Sequence, residues 1–425
     1  MKAVLLAAGE GVRLLPITAT RPKHLIRVGA KPILEHCLEA LKANGITEAA
    51  IVTHYMGDKI QGYFGDGSKF GVNLSYIEQK KVSGTGNAAS LAETFVDDVF
   101  LLVYGDLLFS ADAVKSVLAS FKSGKPDAAL VVVPVDKPET YGIIELGKGK
   151  SVKRIVEKPS GTTPSNLANA GLYVFGKDVF DALKRVKRSE RDEWELTDAV
   201  TLMANEGKVI LAAEIARGDW FDIGRPWDLL DANAWSLRRL EHRVLGNVEE
   251  GAHLLGPVTI AETARVRSGA YIEGPCFIDE GADVGPNCFI RACTSIGKNA
   301  RVGNGCEVKN SIIMDGTHMG HLSYVGDSII CEKCNLGAGT ITANLRFDDG
   351  SIKMRIKDKE VDTGRRKLGA ILGDRVKTGV GALLMPGVKV GNDSWIGPGF
   401  MVKSDLPEKS MAFVKQNGNQ QENIR

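Results

Sequence analysis

The sequence predicts an α/β domain followed by a parallel β-helix, and two different hydrophobic periods indicate this division. Residues 1–230 alternate short β-branched runs with helical patterns, which is typical of a sheet covered by helices. From residue 248 onward an aliphatic residue recurs every six positions, a spacing typical of β-helix coils. The chain has 425 residues, of which 44% are apolar and 25% charged, so it contains enough material for two or three units with sizeable cores.

The charge and the cysteine content argue against several classes of protein. Lysine and arginine number 54 and aspartate and glutamate 52, so the chain lacks the basic excess of a nucleic-acid or membrane-surface binder. No apolar run reaches the ~18 residues of a membrane span, and Met1 leads into a strand-like segment without a signal-peptide pattern. Seven cysteines without disulfide-framework spacing suit a reducing compartment. We therefore expect a cytoplasmic protein that binds neither nucleic acid nor membrane.

The first half predicts buried strands separated by helices. Pro32 to Asn44 should form a helix, because the apolar residues follow helical spacing, Pro32 suits the first turn and Gly45 supplies a stop. Alternating strands and helices imply a mainly parallel sheet, in which ligands bind beyond the carboxyl ends of the strands. The predicted buried strands are Val4–Leu6, Ala50–Val52, Leu74–Ile77, Phe100–Val103 and Leu130–Val133.

The six-residue period of the second half predicts a coil of three flat walls. One aliphatic residue per wall would fill the axis, and glycine or asparagine would turn the corners; an amphipathic helix would instead show a period near 3.6. The period slips at Ile313 and again at Ile330, and it returns after residues 345–366, a charged stretch that we interpret as an inserted loop or hairpin. The unbroken series is Val248, Leu254, Ile260, Val266, Ile272, Ile278, Val284, Ile290, Ile296, Val302 and Val308.

These patterns divide the chain into four parts. We expect a first domain at 1–228 and a linker at 229–247 that contains a helix from Leu229 to His242. The β-helix should span 248–415, and a tail follows at 416–425.

A glycine-rich turn follows the first predicted strand. Gly9 and Gly11 flank Glu10, and Arg13 follows, but Leu14 replaces the third glycine of a dinucleotide-binding fingerprint and His54 stands where its acid would be. What remains is either a turn whose backbone N–H groups bind phosphates beside an arginine, or an ordinary strand-to-helix connection.

The residues after this turn decide between the two alternatives. The run from Gly9 to Thr18, followed by Arg21-Pro22-Lys23, resembles the signature of sugar-1-phosphate nucleotidylyltransferases. The resemblance extends through the first half and implies the Rossmann-like nucleotide-diphospho-sugar transferase fold. The further matching segments are Gln79, Gly84 to Ala88, Tyr104 to Asp106, Tyr141-Gly142, Glu157-Lys158, Asn169 with Gly171, and Trp220 to Gly224.

This resemblance implies a reaction between two polyanions, a nucleoside triphosphate (UTP or dTTP) and a sugar-1-phosphate. Such a reaction needs positioning and charge neutralisation rather than a covalent intermediate. Asp106 and Asp222 would bind Mg²⁺, although a lone aspartate after a strand is usually a helix cap. Arg13 and Lys23 would neutralise the triphosphate. Nucleotide contacts are expected from Leu6, Gly9, Gly11, Gln79, Gly84 and Thr85, and sugar-phosphate contacts from Tyr104, Gly142, Glu157 and Asn169.

The second half resembles the acetyltransferase half of the bifunctional glucosamine-1-phosphate acetyltransferase and N-acetylglucosamine-1-phosphate uridylyltransferase family. The matching segments are Gly320 to Asp327 and Asn335 to Asn344. The resemblance implies a left-handed β-helix, a homotrimer and acetyl-CoA as co-substrate. His321 would be the general base, because the pKa of histidine lies near neutral pH. The other implied contacts are Arg291, Lys309, Tyr324, Asn335 and Lys367 for the amino-sugar phosphate, and Asn344 and Ala370 for acetyl-CoA.

Several features depart from the bacterial pattern and favour similarity to archaeal bifunctional members. Leu345 replaces an aromatic residue after Asn344, and the 345–366 insert contains Arg365 and Arg366, which could meet phosphates of coenzyme A. Two other functions stay open: a glucose-1-phosphate thymidylyl- or uridylyltransferase with a non-catalytic β-helix, and a silent regulatory subunit. The Cys331-Glu332-Lys333-Cys334 segment admits a zinc site, but without a second ligand pair we favour a structural role.

Overall fold

A computed structural model describes residues 1–415, which form two compact units. The first unit comprises Met1–Glu10, Arg21–Ile26 and Lys31–Ile223, and the second comprises Gly11–Thr20, Arg27–Ala30 and the chain from Gly224 onward. The predicted tail at 416–425 lies outside the described residues.

Strands and helices alternate along the first 237 residues. The strands are β1 (Lys2–Ala7), β2 (Arg27–Val28), β3 (Lys31–Pro32), β4 (Glu48–Thr53), β5 (Asn73–Glu78), β6 (Val99–Tyr104), β7 (Leu107–Phe109), β8 (Ala128–Pro134), β9 (Gly142–Leu146), β10 (Val152–Glu157), β11 (Leu167–Gly176), β12 (Ile210–Glu214) and β13 (Trp220–Asp222). The helices are α1 (Ile33–Ala43), α2 (Gly57–Phe64), α3 (Thr85–Ser90), α4 (Ala111–Lys122), α5 (Val179–Arg185), α6 (Leu196–Asn205) and α7 (Pro226–Leu237). Single 3-10 turns lie at Val12–Leu14, Ile17–Ala19, Lys23–Leu25, Ser68–Phe70, Pro138–Thr140, Lys148–Lys150 and Arg217–Asp219.

The main sheet of the first unit is mixed, so the prediction of a mainly parallel sheet was wrong. Its order is β10-β9-β11-β6-β1-β4-β5, and β8 joins β11 to β12. The strands β6, β1, β4 and β5 are parallel, whereas β11 runs antiparallel to β6, β8 and β9. A hydrophobic run in the sequence indicates that a strand is buried, but it does not indicate whether that strand runs parallel or antiparallel to its neighbours. The short connection between β9 and β10 allows only an antiparallel hairpin.

The main sheet is packed on both faces. Alternate residues of β1 point to opposite sides: Ala3, Leu5 and Ala7 join a core with α1 and α4, and Val4 and Leu6 join a core with α3, α5 and α6. Because strand side chains alternate, these two apolar layers fix the register of the central strands.

The five predicted strands and the first helix are confirmed as elements, with one difference in burial. Helix α1 begins directly after Pro32 and ends before Asn44. Strand β5 is only half-buried, with Leu74 as its one buried residue, because it lies at the edge of the sheet.

The second unit contains a coil of three parallel sheets, which is the predicted left-handed β-helix. The first wall consists of Arg243–Val244, Val258–Ile260, Cys276–Ile278, Thr294–Ile296, Ile312–Ile313, Ile329–Ile330, Ile371–Leu372 and Lys389–Val390. The second wall consists of Asn247–Val248, Arg265–Val266, Asp283–Val284, Arg301–Asn304, His318–His321, Asn335–Leu336, Lys377–Thr378, Trp395–Ile396 and Met411–Ala412. The third wall consists of His253–Leu255, Tyr271–Glu273, Phe289–Ile290, Glu307–Lys309, Tyr324–Gly326, Ile341–Thr342, Leu383–Leu384 and Met401–Val402.

The aliphatic series fills the axis of this coil as predicted. Residues from Ile260 to Val308 in the series are fully buried, and only the first two members, Val248 and Leu254, are partly exposed. Successive turns pair residues 18 apart, as Ile278 with Ile296, until the turn that pairs Ile296 with Ile313. The slip in the sequence period is therefore a shorter turn of the same coil.

The charged insert is a hairpin, as one of its two interpretations predicted. Lys353–Ile356 pairs antiparallel with Lys359–Asp362. Ile352, just before the hairpin, and Met354, in its first strand, are both buried.

The helix predicted from Leu229 to His242 begins and ends earlier, at Pro226–Leu237. Pro226 occupies its first turn, and Asp228 Oδ2 accepts a hydrogen bond of 2.7 Å from the N–H of Arg225, which fixes the start. Residues Arg243–Val244 pair with the next strand of the first wall and so belong to the coil.

Candidate active sites

The glycine-rich turn begins where β1 ends. Gly11 has a φ of 67°, a backbone conformation that favours glycine, and its carbonyl accepts hydrogen bonds from Leu14 N at 2.8 Å and Thr18 Oγ1 at 2.9 Å. Gly9 is exposed, and Leu6 lies in β1 opposite Tyr104 of β6. The turn therefore has the exposed backbone that a phosphate group requires.

Arg13 belongs to the second unit and is exposed. Its guanidinium lies against Gly224, where an added Cβ would come within 3.3 Å of Nη2. Glycine at 224 leaves room for the arginine side chain, which explains why the segment after Asp222 ends in glycine.

Lys23 and Asp106 form a close ion pair in the first unit. Lys23 Nζ lies 2.7 Å from Asp106 Oδ2, and the Lys23 side chain is 5% exposed while that of Asp106 is 33% exposed. Lys23 lies in a 3-10 turn and Asp106 follows β6. A buried ammonium requires such a counter-charge, and the more exposed carboxylate remains accessible to a metal ion.

The second predicted metal ligand is brought close to the first by a short ladder. Strand β13 pairs with β7 so that Asp222 lies opposite Leu107, the residue after Asp106. Asp222 at the end of β13 and Asp106 just before β7 offer the hard oxygen donors that suit Mg²⁺, which also takes phosphate oxygens and water. The donor set of the first unit therefore fits the predicted ion.

Gln79, one of the predicted nucleotide contacts, is buried and already hydrogen-bonded. Its Nε2 donates to Asn87 Oδ1 at 2.8 Å and contacts the carbonyl of Gly84 at 3.5 Å. The backbone carbonyl of Gln79 bonds His54 Nδ1 at 2.7 Å. Gln79 thus connects the end of β5 with the predicted nucleotide-binding segment.

Gly84 and Thr85 begin helix α3 against the segment around Trp194. Gly84 has a φ of 101°, and a Cβ on it would lie 2.4 Å from the carbonyl oxygen of Trp194, so this close approach requires glycine. Thr85 Oγ1 accepts a hydrogen bond of 3.0 Å from the N–H of Leu196. Trp194 was not among the predicted site residues.

Gly142 and Glu157 face each other in the β9–β10 ladder. Thr197 donates a hydrogen bond of 3.3 Å to Glu157 Oε1, and a Cβ on Gly142 would lie 2.9 Å from the same oxygen. Glu157 is exposed to solvent, yet desolvation by the surrounding protein raises the pKa of its carboxyl group. Glycine at 142 keeps one side of this carboxylate open.

Asn169 and Tyr104 are joined by a residue that the sequence did not single out. Asn169 Nδ2 donates to the hydroxyl of Tyr173 at 2.5 Å, and that hydroxyl donates to the Tyr104 hydroxyl at 3.4 Å. The alternation of β11 makes Tyr173 look like a core residue, and it is fully buried. Only its hydroxyl distinguishes it from the neighbouring apolar residues.

Two predicted phosphate ligands of the second site lie in adjacent turns of the third wall. Ile290 pairs with Val308 of the next turn. Arg291 and Lys309 directly follow these two residues, so they occupy equivalent positions of the third wall in adjacent turns. Each cation has an acidic partner: Arg291 Nη1 is 3.0 Å from Glu307 Oε1, and Lys309 Nζ is 3.1 Å from Asp327 Oδ2. The structure thus brings these two cations together on one edge of the coil.

Asn344 and Tyr324 are in direct contact. Asn344 Nδ2 donates to the Tyr324 hydroxyl at 3.1 Å and to Asp327 Oδ2 at 2.6 Å. Burial raises the pKa of Tyr324, so this residue stays a neutral hydroxyl at physiological pH. Neither Asp327 nor Glu307 was predicted as a site residue, because a corner aspartate in a coil is also an ordinary turn residue.

His321 is exposed at the end of its second-wall strand, opposite Asn304. Asn335 lies on the same wall, paired with His318, and is exposed. Lys367 is exposed, and its backbone forms an isolated antiparallel β-bridge with that of Leu345 at the base of the hairpin.

Ala370 does not reach the surface of the coil. Its side chain is fully buried, its N–H donates to Ser328 Oγ at 3.0 Å and its carbonyl accepts from Ile329 N at 3.0 Å. The side chain and the N–H group of Ala370 are thus engaged inside the coil, and its contact with acetyl-CoA stays a prediction.

The arginines of the insert already have acidic partners. Arg365 Nη1 lies 2.7 Å from Asp231 of α7, and Arg366 Nη2 lies 2.8 Å from Asp349.

Cys331 and Cys334 are buried within the coil, and Cys334 Sγ contacts the carbonyl of Gly373 at 3.0 Å.

Within residues 1–415 no helix is both long and apolar enough to cross a membrane.

Comparison with known proteins gives matches in both halves. A model of the nucleotidyl transferase family matches residues 2–239, and a model of the GMPPB C-terminal domain matches residues 272–385. A solved candidate glucose-1-phosphate thymidylyltransferase from Bacillus anthracis, in complex with sucrose, is 34% identical with a TM-score of 0.52. The match covers 57% of this chain and 98% of that one.

Full-length relatives share both halves. A bifunctional sugar-1-phosphate nucleotidylyltransferase/acetyltransferase of Sulfurisphaera tokodaii is 42% identical over 89% of this chain and 92% of that protein. The bifunctional protein GlmU of Methanocaldococcus jannaschii is 43% identical over 89% of each chain, and that of Methanococcus maripaludis strain C7 is 44% identical over 98% of each. The chain therefore belongs to the GlmU-like family of bifunctional sugar-1-phosphate nucleotidylyltransferase/acetyltransferases.

Proposed function

We propose that the second unit acetylates glucosamine-1-phosphate with acetyl-CoA and that the first unit then joins N-acetylglucosamine-1-phosphate to UTP, releasing pyrophosphate. The observation that carries this proposal is the occurrence of two charged sites in one chain. Lys23 and Asp106 form one site, and Arg291, Lys309 and Tyr324 lie along one edge of the coil. Family membership over nearly the whole chain supports the pairing of these two activities.

In the nucleotidylyl transfer, the protein positions two phosphate groups and neutralises their charge. We assign Lys23, and by resemblance Arg13, to the triphosphate and the leaving pyrophosphate. Asp106 and Asp222 would hold Mg²⁺, which when bound screens the phosphate oxygens during attack. Glu157 would accept hydrogen bonds from the sugar, and Asn169 would donate a hydrogen bond to it. Gly142 would leave space for the sugar.

In the acetyl transfer, the sugar amine must lose a proton as it attacks the thioester carbon. We assign this proton to His321, whose exposed ring can exchange it with solvent. Arg291, Lys309 and Lys367 would bind the sugar phosphate, and Tyr324 and Asn335 the sugar. Asn344 would lie beside the thioester, as the resemblance implies.

We further propose a homotrimer acting in the cytoplasm. In the family that the second half resembles, the acetyl-transfer site lies between neighbouring β-helices, so a trimer would complete it. Within residues 1–415 no disulfide bond joins any of the seven cysteines, which is compatible with a reducing compartment. Either UTP or dTTP remains compatible with the residues around Gln79, because a methyl group contributes only ~1–3 kcal/mol to selection.

A substrate panel tests the proposal. The purified chain is assayed for pyrophosphate release with UTP or dTTP and several sugar-1-phosphates, and for CoA release with glucosamine- or galactosamine-1-phosphate. We expect His321→Ala to abolish amine-dependent CoA release and to leave pyrophosphate release from N-acetylglucosamine-1-phosphate unchanged. Wild-type protein that releases no CoA with any amino sugar contradicts the acetyl-transfer half of the proposal.

A glucose-1-phosphate thymidylyl- or uridylyltransferase with a non-catalytic β-helix is the second candidate. The similarity of 57% of this chain to the Bacillus anthracis chain supports it. It predicts pyrophosphate release with glucose-1-phosphate and no CoA release with any amine, so the same panel separates the two functions.

A further inference from the structure

A buried carboxylate connects two of the proposed acetyl-transfer residues. Asp327 is 3% exposed and accepts hydrogen bonds from three side chains: Lys309 Nζ at 3.1 Å, Asn310 Nδ2 at 2.7 Å and Asn344 Nδ2 at 2.6 Å. Charge-assisted bonds of this kind are stronger than neutral ones. The donors come from two directions, because Lys309 and Asn310 lie in the preceding turn of the coil and Asn344 in the following one.

The backbone holds this carboxylate in place. Asp327 lies at a corner with a φ of 50°, a left-handed conformation that aspartate and asparagine adopt more readily than other non-glycine residues. Its N–H donates to the carbonyl of Lys309 at 2.9 Å, and its carbonyl accepts from Gly369 N at 2.8 Å. The corner is therefore fixed to the turns on both sides.

The contacts of Asn344 determine which end of its amide faces outward. Both hydrogens of Nδ2 are used, one toward Asp327 and one toward the Tyr324 hydroxyl. An amide has two donors on nitrogen and an acceptor on oxygen, so the group left for a ligand is the carbonyl oxygen. Asn344 thus offers an acceptor, which suits an N–H group such as the sugar amine or an amide of coenzyme A, and does not suit an oxyanion.

Lys309 keeps hydrogen-bonding capacity while it is paired. Its ammonium has three donors, of which one is directed at Asp327, and its side chain is 20% exposed. The remaining donors can bind an anion from the solvent side. The carboxylate restricts the long lysine side chain to one region, which lowers the entropy lost when a phosphate binds.

We propose that Asp327 is a positioning residue for acetyl transfer, which holds Lys309 for the sugar phosphate and orients Asn344 so that its carbonyl oxygen faces the reacting groups. The inference rests on the proposed acetyl transfer and names a residue that touches neither substrate. A displacement of about 1 Å in such a group can cost ~100-fold in rate.

The test compares Asp327→Asn and Asp327→Ala with the wild-type chain. Asp327→Asn keeps the shape but removes the charge and lets the facing amides reorient. We expect a loss of roughly 10- to 100-fold in kcat/KM for CoA release, with KM for the sugar phosphate raised through Lys309 and kcat lowered through Asn344. Lys309→Met should chiefly raise that KM.

Asp393→Asn is the matched control. Asp393 also lies in left-handed backbone, with a φ of 59°, and accepts a hydrogen bond of 2.6 Å from Arg375 Nε, outside the proposed site. This variant should acetylate at the wild-type rate. Thermal unfolding of each variant shows whether the coil is folded at the assay temperature, and if Asp327→Ala is unfolded, Asp327→Asn decides the test.

A reciprocal exchange sharpens the test. Asn344→Asp alone places two carboxylates against each other and should lose activity, whereas Asp327→Asn combined with Asn344→Asp restores a donor–acceptor pair with an oxygen still facing outward. Recovery of the double variant above both single variants supports the inference. Asp327→Asn with wild-type kcat and KM overturns it alone, and a wild-type chain without amine-dependent CoA release overturns it together with the proposed function.

Discussion

Lys23 Nζ lies 2.7 Å from Asp106 Oδ2, and the two side chains differ sharply in exposure, at 5% and 33%. The two partners should therefore respond differently to substitution. Removing Asp106 leaves an ammonium buried without a counter-charge, whereas removing Lys23 leaves a carboxylate that water can still reach.

We predict that Lys23→Met and Asp106→Asn both lower pyrophosphate release by at least about 100-fold, since the first removes a cation assigned to the phosphates and the second removes a proposed ligand of Mg²⁺. Asp106→Asn should in addition destabilise the first unit by about 2–3 kcal/mol, while Lys23→Met should not. Pyrophosphate assays and thermal unfolding of both variants measure the two effects. Equal losses of stability in the two variants would contradict this asymmetry.

Metal removal should separate the two reactions. We expect EDTA to stop pyrophosphate release and to leave amine-dependent CoA release intact, because only the first reaction makes and breaks bonds at a phosphate group, where Mg²⁺ would act. Asp222→Asn should raise the Mg²⁺ concentration needed for half-maximal pyrophosphate release, since Asp222 lies opposite Leu107 beside the other proposed ligand. If Asp222→Asn needs the same Mg²⁺ concentration as the wild type for half-maximal pyrophosphate release, Asp222 is not a ligand of the metal ion.

Gly142→Ala tests whether Glu157 needs an open side. The added Cβ would lie 2.9 Å from Glu157 Oε1, which forces the carboxylate to move. We expect KM for the sugar-1-phosphate to rise about tenfold, the equivalent of ~1.4 kcal/mol, with KM for the nucleotide unchanged. Gly62→Ala is the control, because that glycine lies in α2 with nothing within 4 Å of an added Cβ. A rise in both KM values would indicate a general distortion of the first unit.

The sequence predicted the β-helix more completely than the main sheet of the first unit. Each six-residue step specifies one inward position, so burial of residues such as Ile278 and Val302 follows from the period itself. The direction of β11 has no such local signal, and its antiparallel pairing with β6 depends on contacts between distant segments. Hydrophobic patterns fix which residues are inside and not which strand lies beside which.

The site residues were predicted from motifs, and the residues that connect them were not. Tyr173 reads as one more buried aromatic residue in a strand, and Asp327 as a corner residue of a coil. Their roles depend on which side chains the fold brings to their polar atoms, Asn169 in the first case and Asn344 in the second. A single sequence does not contain this information, because the partners follow from packing of separate turns and strands.

Asp283 allows a pH-dependent test of the stability of the coil. Arg267 donates to Asp283 through Nε at 2.6 Å and Nη2 at 2.7 Å, and Arg301 also contacts this carboxylate. The hydrogen bonds from Arg267 are the main cause that holds the pKa of Asp283 below its ordinary value near 3.8. The folded protein therefore binds the proton of this group less readily than the unfolded chain.

The stabilisation from Asp283 is consequently complete above pH 3.8 and is lost as the pH falls through the lower pKa of the folded state. We predict that Asp283→Asn lowers the free energy of unfolding by about 1 kcal/mol at pH 7 and that the difference from the wild type shrinks below pH 3.8. Urea unfolding followed by far-UV circular dichroism at several pH values measures this, since urea does not screen the ion pair. Asp348→Asn, which breaks an exposed pair with Arg346 in the insert, should leave the urea midpoint unchanged at every pH. A pH-independent loss in Asp283→Asn would show that the carboxylate acts through its shape and not through its charge.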